Sequence, residues 1–297
     1  MTIEHRTYAD LTAPDTSRMV EQVGAQLERV AGRLARVGRC VAVMSGKGGV
    51  GKSLSSAALA AALAGRGLDV GLLDADLVGP SAARMSGVAA GSLGVREDGV
   101  RPALSAAGVR VMSMELLLEA GAPLAWREPD SESFVWRGAQ ERSALREFLA
   151  DVEWGELDLL LVDLPPGTQR LIDLHELVPR LDGVIVLTIP SGASEGAVAR
   201  SMQLARDREI PILGVIENMA GYACPKCGER GTLFPGDAGA RLAVAHDVEL
   251  LGRVPFDPAA AVLAEAGDLA ALVERTAAGR VLDEIAGALE RTSEGAA

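Results

Sequence analysis

Residues 46–53 read Gly-Lys-Gly-Gly-Val-Gly-Lys-Ser, between the apolar run Cys40-Val41-Ala42-Val43-Met44 and an alanine-rich stretch at 55–64. A glycine-rich turn leading from a strand into a helix is the setting in which the G-x-x-x-x-G-K-[ST] pattern acquires physical meaning. Gly46, Gly48, Gly49 and Gly51 let the backbone curl so that its N–H groups, those of Val50 and Leu54 included, face anionic oxygens. The positive end of the following helix adds to that field. Lys52 is expected on the terminal phosphates and the Ser53 hydroxyl on Mg²⁺. The loop therefore predicts a nucleoside triphosphate site, with ATP and Mg²⁺ as the expected ligands.

The rest of the chain fits the fold this loop requires. Apolar, β-rich runs at 41–44, 70–74, 159–163, 184–189 and 212–217 alternate with helical patterns. Continuous apolar strands separated by helices predict an α/β P-loop NTPase fold, a doubly wound, mostly parallel sheet with helices on both faces. An apolar stripe of Val20, Val23, Leu27, Val30, Leu34 and Val37 predicts one helix ahead of the first strand, docked on the sheet. Residues 1–15 read as a disordered lead-in, and 87–140 as an irregular edge insertion. Helical stretches at 259–275 and 279–291 close the chain. This divides it into an N-terminal extension, 1–38, and an ATPase domain, 39–297.

Carboxylates at the C-terminal ends of strands beside such a loop are placed to handle water and metal. In Leu73-Asp74-Ala75-Asp76, Asp74 is the expected water-orienting group and Asp76 its support. Asp163 ends another apolar strand and is the expected Mg²⁺-side carboxylate. It leads into Leu164-Pro165-Pro166-Gly167-Thr168, a stiffened turn suited to sensing a γ-phosphate. The amide of Asn218 can pair with a donor and an acceptor on adenine, and a structural turn asparagine is the competing reading. Pro255, in Val254-Pro255-Phe256-Asp257, is placed with it among the nucleotide-contacting residues.

The second chemical signal is Cys224-Pro225-Lys226-Cys227, flanked by Gly221, Gly228 and Gly231. Thiolates at this spacing suit zinc or an iron–sulfur cluster, both of which usually take four protein ligands. One chain offers two here, and a twofold dimer would complete the set. A cluster leads over zinc, and zinc over a redox pair, since the loop lacks the helix N-terminus of a thioredoxin-type site.

The formal charge of −12 and pI near 4.8 argue against nucleic-acid binding. The C-terminal residues lack a basic amphipathic anchor, and no apolar run reaches the ~20 residues a bilayer span needs. The N-terminus lacks a signal-peptide core. A cytoplasmic protein with neither nucleic-acid nor membrane partners is expected.

Lys47 and the cysteine string together carry a family resemblance. The G-K-G-G-x-G-K-[ST] loop resembles that of the MinD, ParA and nitrogenase-iron-protein class, which implies that Lys47 reaches a partner subunit's nucleotide in a homodimer. A cation supplied in trans would stabilise charge on a transferred phosphoryl group; the plainer reading is a solvated loop lysine. From about residue 41 to 258 the chain resembles the Mrp/ApbC group of iron–sulfur cluster carriers. The shared strings are G-K-G-G-V-G-K-S, D-A-D-L-V-G-P-S, Trp136-Arg137-Gly138, D-L-P-P-G-T, E-N-M-A-G-Y-A-C-P-K-C-G and Pro255-Phe256-Asp257-Pro258. The resemblance implies an ATP hydrolase of slow turnover that holds a 4Fe-4S cluster between two Cys224/Cys227 pairs and passes it to apo-proteins. A ParA/MinD-like positioning ATPase and a zinc-bridged ATPase dimer are the alternatives. Leu54, Gln169-Arg170 and Ala139-Gln140 depart from the group's usual Thr, Gly-Asp and Pro-Met. The small domain that precedes the ATPase in many bacterial relatives is expected to be missing, its place taken by the first helix.

Overall fold

The computed structural model describes residues 19–97, 99–117, 133–224, 226–227 and 229–294. The expected lead-in at 1–15, much of the irregular segment within 87–140, and Pro225 and Gly228 of the cysteine string lie outside these residues. So do the side chains of Trp136 and Arg137.

The chain order is α1 (Met19–Leu34), β1 (Val37–Ser45), α2 (Lys52–Gly65), β2 (Val70–Asp74) and α3 (Ala82–Met85). There follow β3 (Gly94–Val95), β4 (Val100–Arg101), β5 (Ala103–Leu104), β6 (Arg110–Ser113) and α4 (Ser133–Asp151). Next come β7 (Leu157–Asp163), α5 (Gln169–Leu177), β8 (Gly183–Thr188), α6 (Gly192–Asp207) and β9 (Ile212–Ala223). The last elements are β10 (Arg230–Gly231), α7 (Ala238–Ala245), β11 (Leu250–Phe256), α8 (Pro258–Glu265), α9 (Leu269–Arg275) and α10 (Ala277–Glu294).

Nine strands form one sheet in the order β10-β9-β8-β1-β7-β2-β6-β5, with β11 on β9. The pairings among β1, β2, β6, β7, β8, β9 and β11 are parallel, and β5 and β10 are antiparallel additions. Successive side chains of a strand point to opposite faces, and here both faces are covered. Ala42, Met44, Leu160 and Val162 pack under α1, α4, α5, α6 and α7. Val41, Val43, Leu161 and Leu187 pack under α2, α8, α9 and α10. That two-sided burial is why the strands read as unbroken apolar runs. In α2, Ala57, Ala58, Ala60, Ala61 and Ala62 are all buried, and such small side chains let a helix lie close to the sheet.

The structure corrects several local expectations. The apolar stripe that includes Val37 is not one helix: α1 ends at Leu34, and Val37 opens β1 opposite Leu157. Val30 and Leu34 join the core cluster beside α4, and Arg33 pairs with Glu153 at 3.0 Å. Part of the supposed insertion belongs to the sheet, since Val111 and Met112 of β6 are buried and β6 pairs with β2. The stretch 259–275 is two helices. Gly267 takes φ +73° and Asp268 caps α9 by accepting from Ala271 N at 3.0 Å. No described helix is long and apolar enough to cross a membrane.

Candidate functional site: a phosphate loop and a thiol hairpin on one strand network

β1 delivers its C-terminal end into the loop at 46–51, and α2 carries the chain away from it. Gly49 and Gly51 hold φ of +77° and +81°, in the left-handed region that favours glycine. A Cβ on Gly51 would also lie 2.3 Å from the Asn218 amide nitrogen. Gly46 is constrained differently: a Cβ there would come within 2.7 Å of Val198 N, so α6 packs directly on the start of the loop. A cleft of about 350 Å³ opens over this turn. Its wall includes Lys47, Lys52, Ser53, Asp76, Pro166 and Met219, and also Leu54.

At the floor of the site stands Asp163, with no solvent exposure. Its Oδ1 lies 2.7 Å from Lys52 Nζ and accepts from Ser56 Oγ at 2.7 Å. Its Oδ2 accepts from Ser53 Oγ at 2.6 Å. A hydroxyl and a carboxylate side by side form an oxygen donor set that suits Mg²⁺. Ser56 escaped the sequence reading, although it follows Ser53 by three residues and so shares its helix face.

The two carboxylates after β2 divide. Asp74 is fully buried and accepts from Ser81 N at 2.9 Å, Ala82 N at 3.0 Å and Asp76 N at 3.1 Å, with Ser113 Oγ at 3.2 Å. Burial raises its pKa to about 7, and the neighbouring Asp163 adds to the rise against those backbone donors. Asp76 lines the cleft itself, with Oδ1 accepting from Gly79 N at 3.0 Å.

Lys47 is exposed on the cleft wall, and among the described residues its ammonium has no ion-pair partner. Asn218 sits behind the loop, its Nδ2 donating to the Val50 carbonyl at 2.8 Å. Pro255 is buried in β11 and is not part of the cleft wall. The turn after Asp163 is tied to β1 through Leu164 N to Val43 O at 3.0 Å and Gly167 N to Ser45 O at 3.2 Å. Arg170 follows it and is anchored by Glu141 and by Asp173 at 2.6 Å, which fixes α5 against α4.

Beyond the nucleotide cleft, β9 runs to Ala223 and hands the chain to the cysteine turn, which returns as β10. Cys224 N donates to Glu229 O at 2.9 Å. The backbone N–H groups of Cys227 and Lys226, and then the Cys227 thiol, point at the Cys224 sulfur and hold its pKa below the ordinary thiol value. Cys224 is half-buried and Cys227 exposed, whereas Cys40 is buried in β1. Among the described residues, no cluster of three or more His, Cys, Asp or Glu is arranged to hold a metal.

The family model for ParA, described as NUBPL iron-transfer P-loop NTPase, matches residues 36–290. An iron-sulfur cluster carrier protein of Saccharolobus solfataricus is 39% identical over 255 residues, covering 86% of this chain and 83% of that protein. The human cytosolic Fe-S cluster assembly factor NUBP2 is 40% identical over 233 residues, covering 77% of this chain and 83% of its own length. A nucleotide-binding protein from Archaeoglobus fulgidus, solved with ADP, superposes with a TM-score of 0.69 at 34% identity, over 82% of this chain and 92% of that one. MinD of Pyrococcus horikoshii, with Mg-ADP, shares the fold at a TM-score of 0.58 and 18% identity, over 87% of this chain and 98% of that one.

Gly51→Ala should lower nucleotide affinity at least ~100-fold by titration calorimetry, because the new methyl meets both an adverse φ and the Asn218 amide. An affinity within twofold of wild type would show that this loop geometry is not needed for binding.

Proposed function

The chain belongs to the ParA family of NUBPL iron-transfer P-loop NTPases, and from that premise we propose that it is an ATP-driven iron–sulfur carrier. In this reading two copies hold one 4Fe-4S cluster between their Cys224/Cys227 pairs and release it to apo-proteins. The observation that carries the reading is the hairpin tip. It presents two accessible thiols, one favoured as thiolate by backbone donors, with no further ligand gathered around them among the described residues. Half a tetrathiolate cage is useful only when a second half meets it. The names of the relatives, a cluster carrier and a cluster assembly factor, support the same cargo.

Nucleotide handling follows from the cleft. Backbone N–H groups of 48–53 would cradle the phosphates, Lys52 would turn from Asp163 to the terminal phosphates, and Ser53 with Asp163 would hold Mg²⁺. When bound, Mg²⁺ neutralises charge on the phosphate oxygens. Asp76, which faces the cleft, orients the attacking water, while Asp74 behind it holds the 74–82 loop in shape. One Nδ2 hydrogen of Asn218 goes to the Val50 carbonyl, which fixes the amide orientation. That leaves Oδ1 to accept from the adenine amino group and the second Nδ2 hydrogen to donate to a ring nitrogen, an arrangement that the keto oxygen of guanine does not match. Lys47, with no ion-pair partner among the described residues, reaches the nucleotide of the second copy. Such a cycle is a timer for conformational change, so turnover is slow. The work takes place in the cytoplasm, without nucleic-acid or membrane partners.

Two experiments test this. Anaerobic reconstitution with iron and sulfide should give a brown dimer with cluster absorbance in the visible, and Cys224→Ser should stay colourless. A colourless wild-type dimer carrying zinc would reject the cluster and leave the ATPase. In hydrolysis assays, ATP should be preferred over GTP about tenfold, the worth of roughly one well-placed hydrogen bond. Asp76→Asn should slow ATP turnover about 100-fold, as loss of a water-orienting group does. If Asp74→Asn impaired turnover while Asp76→Asn did not, the assignment would be reversed.

A further inference from the structure

The nucleotide loop and the cysteine hairpin touch the same strand, and that strand is irregular between them. Asn218 of β9, only 7% exposed, donates from Nδ2 to the Val50 carbonyl at 2.8 Å. The next residue, Met219, holds φ +54° and lines the cleft beside Lys47 and Pro166. A non-glycine residue keeps such a φ only where its surroundings enforce it. The register against β11 slips at the same place. Asn218 faces Val254 and Tyr222 faces Phe256, so four steps along β9 match two along β11, the slip falling between Val254 and Phe256. The surplus lies within 219–221, as in a bulge. Past it the strand is clamped again. The Tyr222 ring stacks on Phe256 with centroids 6.4 Å apart, Tyr222 pairs with Gly231, and Cys224 follows two residues later.

We propose that Asn218 is a positioning residue that couples the phosphate loop to the thiol pair. A shift of Val50 on nucleotide binding passes through the Asn218 amide into the bulged segment 219–221. That segment then re-sets how Cys224 and Cys227 are presented. A ligand moves such an equilibrium only through a contact that differs between the two arrangements, and the Asn218–Val50 bond is that contact. The inference rests on the carrier reading for the use of the thiols. Its geometry needs only the two sites and the strand that joins them.

The test uses full-length, reduced, cluster-free protein. The rate at which iodoacetamide alkylates Cys224 is read by peptide mass spectrometry, without nucleotide and with saturating ADP or a non-hydrolysable ATP analogue. Buried Cys40, its thiol pushed up to about 12, stays unreactive as an internal control. Wild type should show a nucleotide-dependent rate change of about fivefold, a typical coupling. In Asn218→Ala the ratio should fall to about one at nucleotide levels verified to saturate that variant. Met219→Gly keeps the amide but frees the backbone; it should also reduce the ratio, and it decides the matter if Asn218→Ala does not fold. Lys47→Ala, at nucleotide levels verified to saturate that variant too, should retain the ratio, because the route lies within one chain. No ratio in wild type, or an undiminished one in Asn218→Ala or Met219→Gly, overturns the proposal. So does a ratio lost in Lys47→Ala but kept in Asn218→Ala, which would mean that a second copy simply covers the thiols. No iron is present, so failure here leaves the carrier reading standing, and failed cluster loading leaves this result intact.

Discussion

Asp163 carries the arrangement of the nucleotide site. It ends β7 in register with Val43 of β1 on one side and Asp74 of β2 on the other. Two fully buried carboxylates therefore stand side by side, an expensive placement unless each is compensated. Asp163 is compensated by Lys52, Ser53 and Ser56, all on the first turns of α2. Asp74 is compensated by backbone N–H groups of the chain that folds over it, while burial, with Asp163 beside it, pushes its pKa up to about 7. The loop at 46–51 is thus pinned at its exit by an ion pair and at its back by the Asn218 amide. Removing the Asp163 carboxylate would leave a buried lysine without its counter-charge, so stability and nucleotide binding share one residue.

The parallel sheet explains why two unlike chemistries occur in one chain. Parallel strands deliver their C-terminal ends to the same rim, and β1, β7, β2 and β9 all lead into residues of the candidate site there. β9 continues past the rim, to Ala223, where β11 and the returning β10 give its outer half hydrogen-bonding partners. The Asn218–Val50 contact and the thiols are thereby separated by one strand segment. Among the described residues, exposed Lys47 has no ion-pair partner and the two thiols have no further metal-ligating group gathered around them, and the proposed second copy would answer both.

Much of this was legible in the sequence because the signals were local. The glycine loop, the strand ending in Asp163 and the C-x-x-C each occupy contiguous residues whose chemistry does not depend on distant partners. Where contacts between distant residues decide, the reading fell short. Val37 continues the helical stripe of α1 numerically, yet pairing with Leu157 draws it into β1. The four residues of β6 are too short to declare a strand, and they become one only against β2. Asp74 and Asp76 cannot be told apart by spacing; burial under the 81–82 backbone puts the first behind the cleft and leaves the second on its wall. Asn218 is the clearest case. Its amide chemistry was visible, but its partner lies 168 positions earlier in the chain.

The central claim is that each polypeptide supplies half of a metal cage and half of a hydrolytic centre. Native mass spectrometry of the anaerobically reconstituted protein with ATP tests it most directly. The account predicts a species of two chains carrying a single 4Fe-4S cluster and two nucleotides. A cluster-bearing monomer, or a dimer with a separate cluster on each chain, would contradict it.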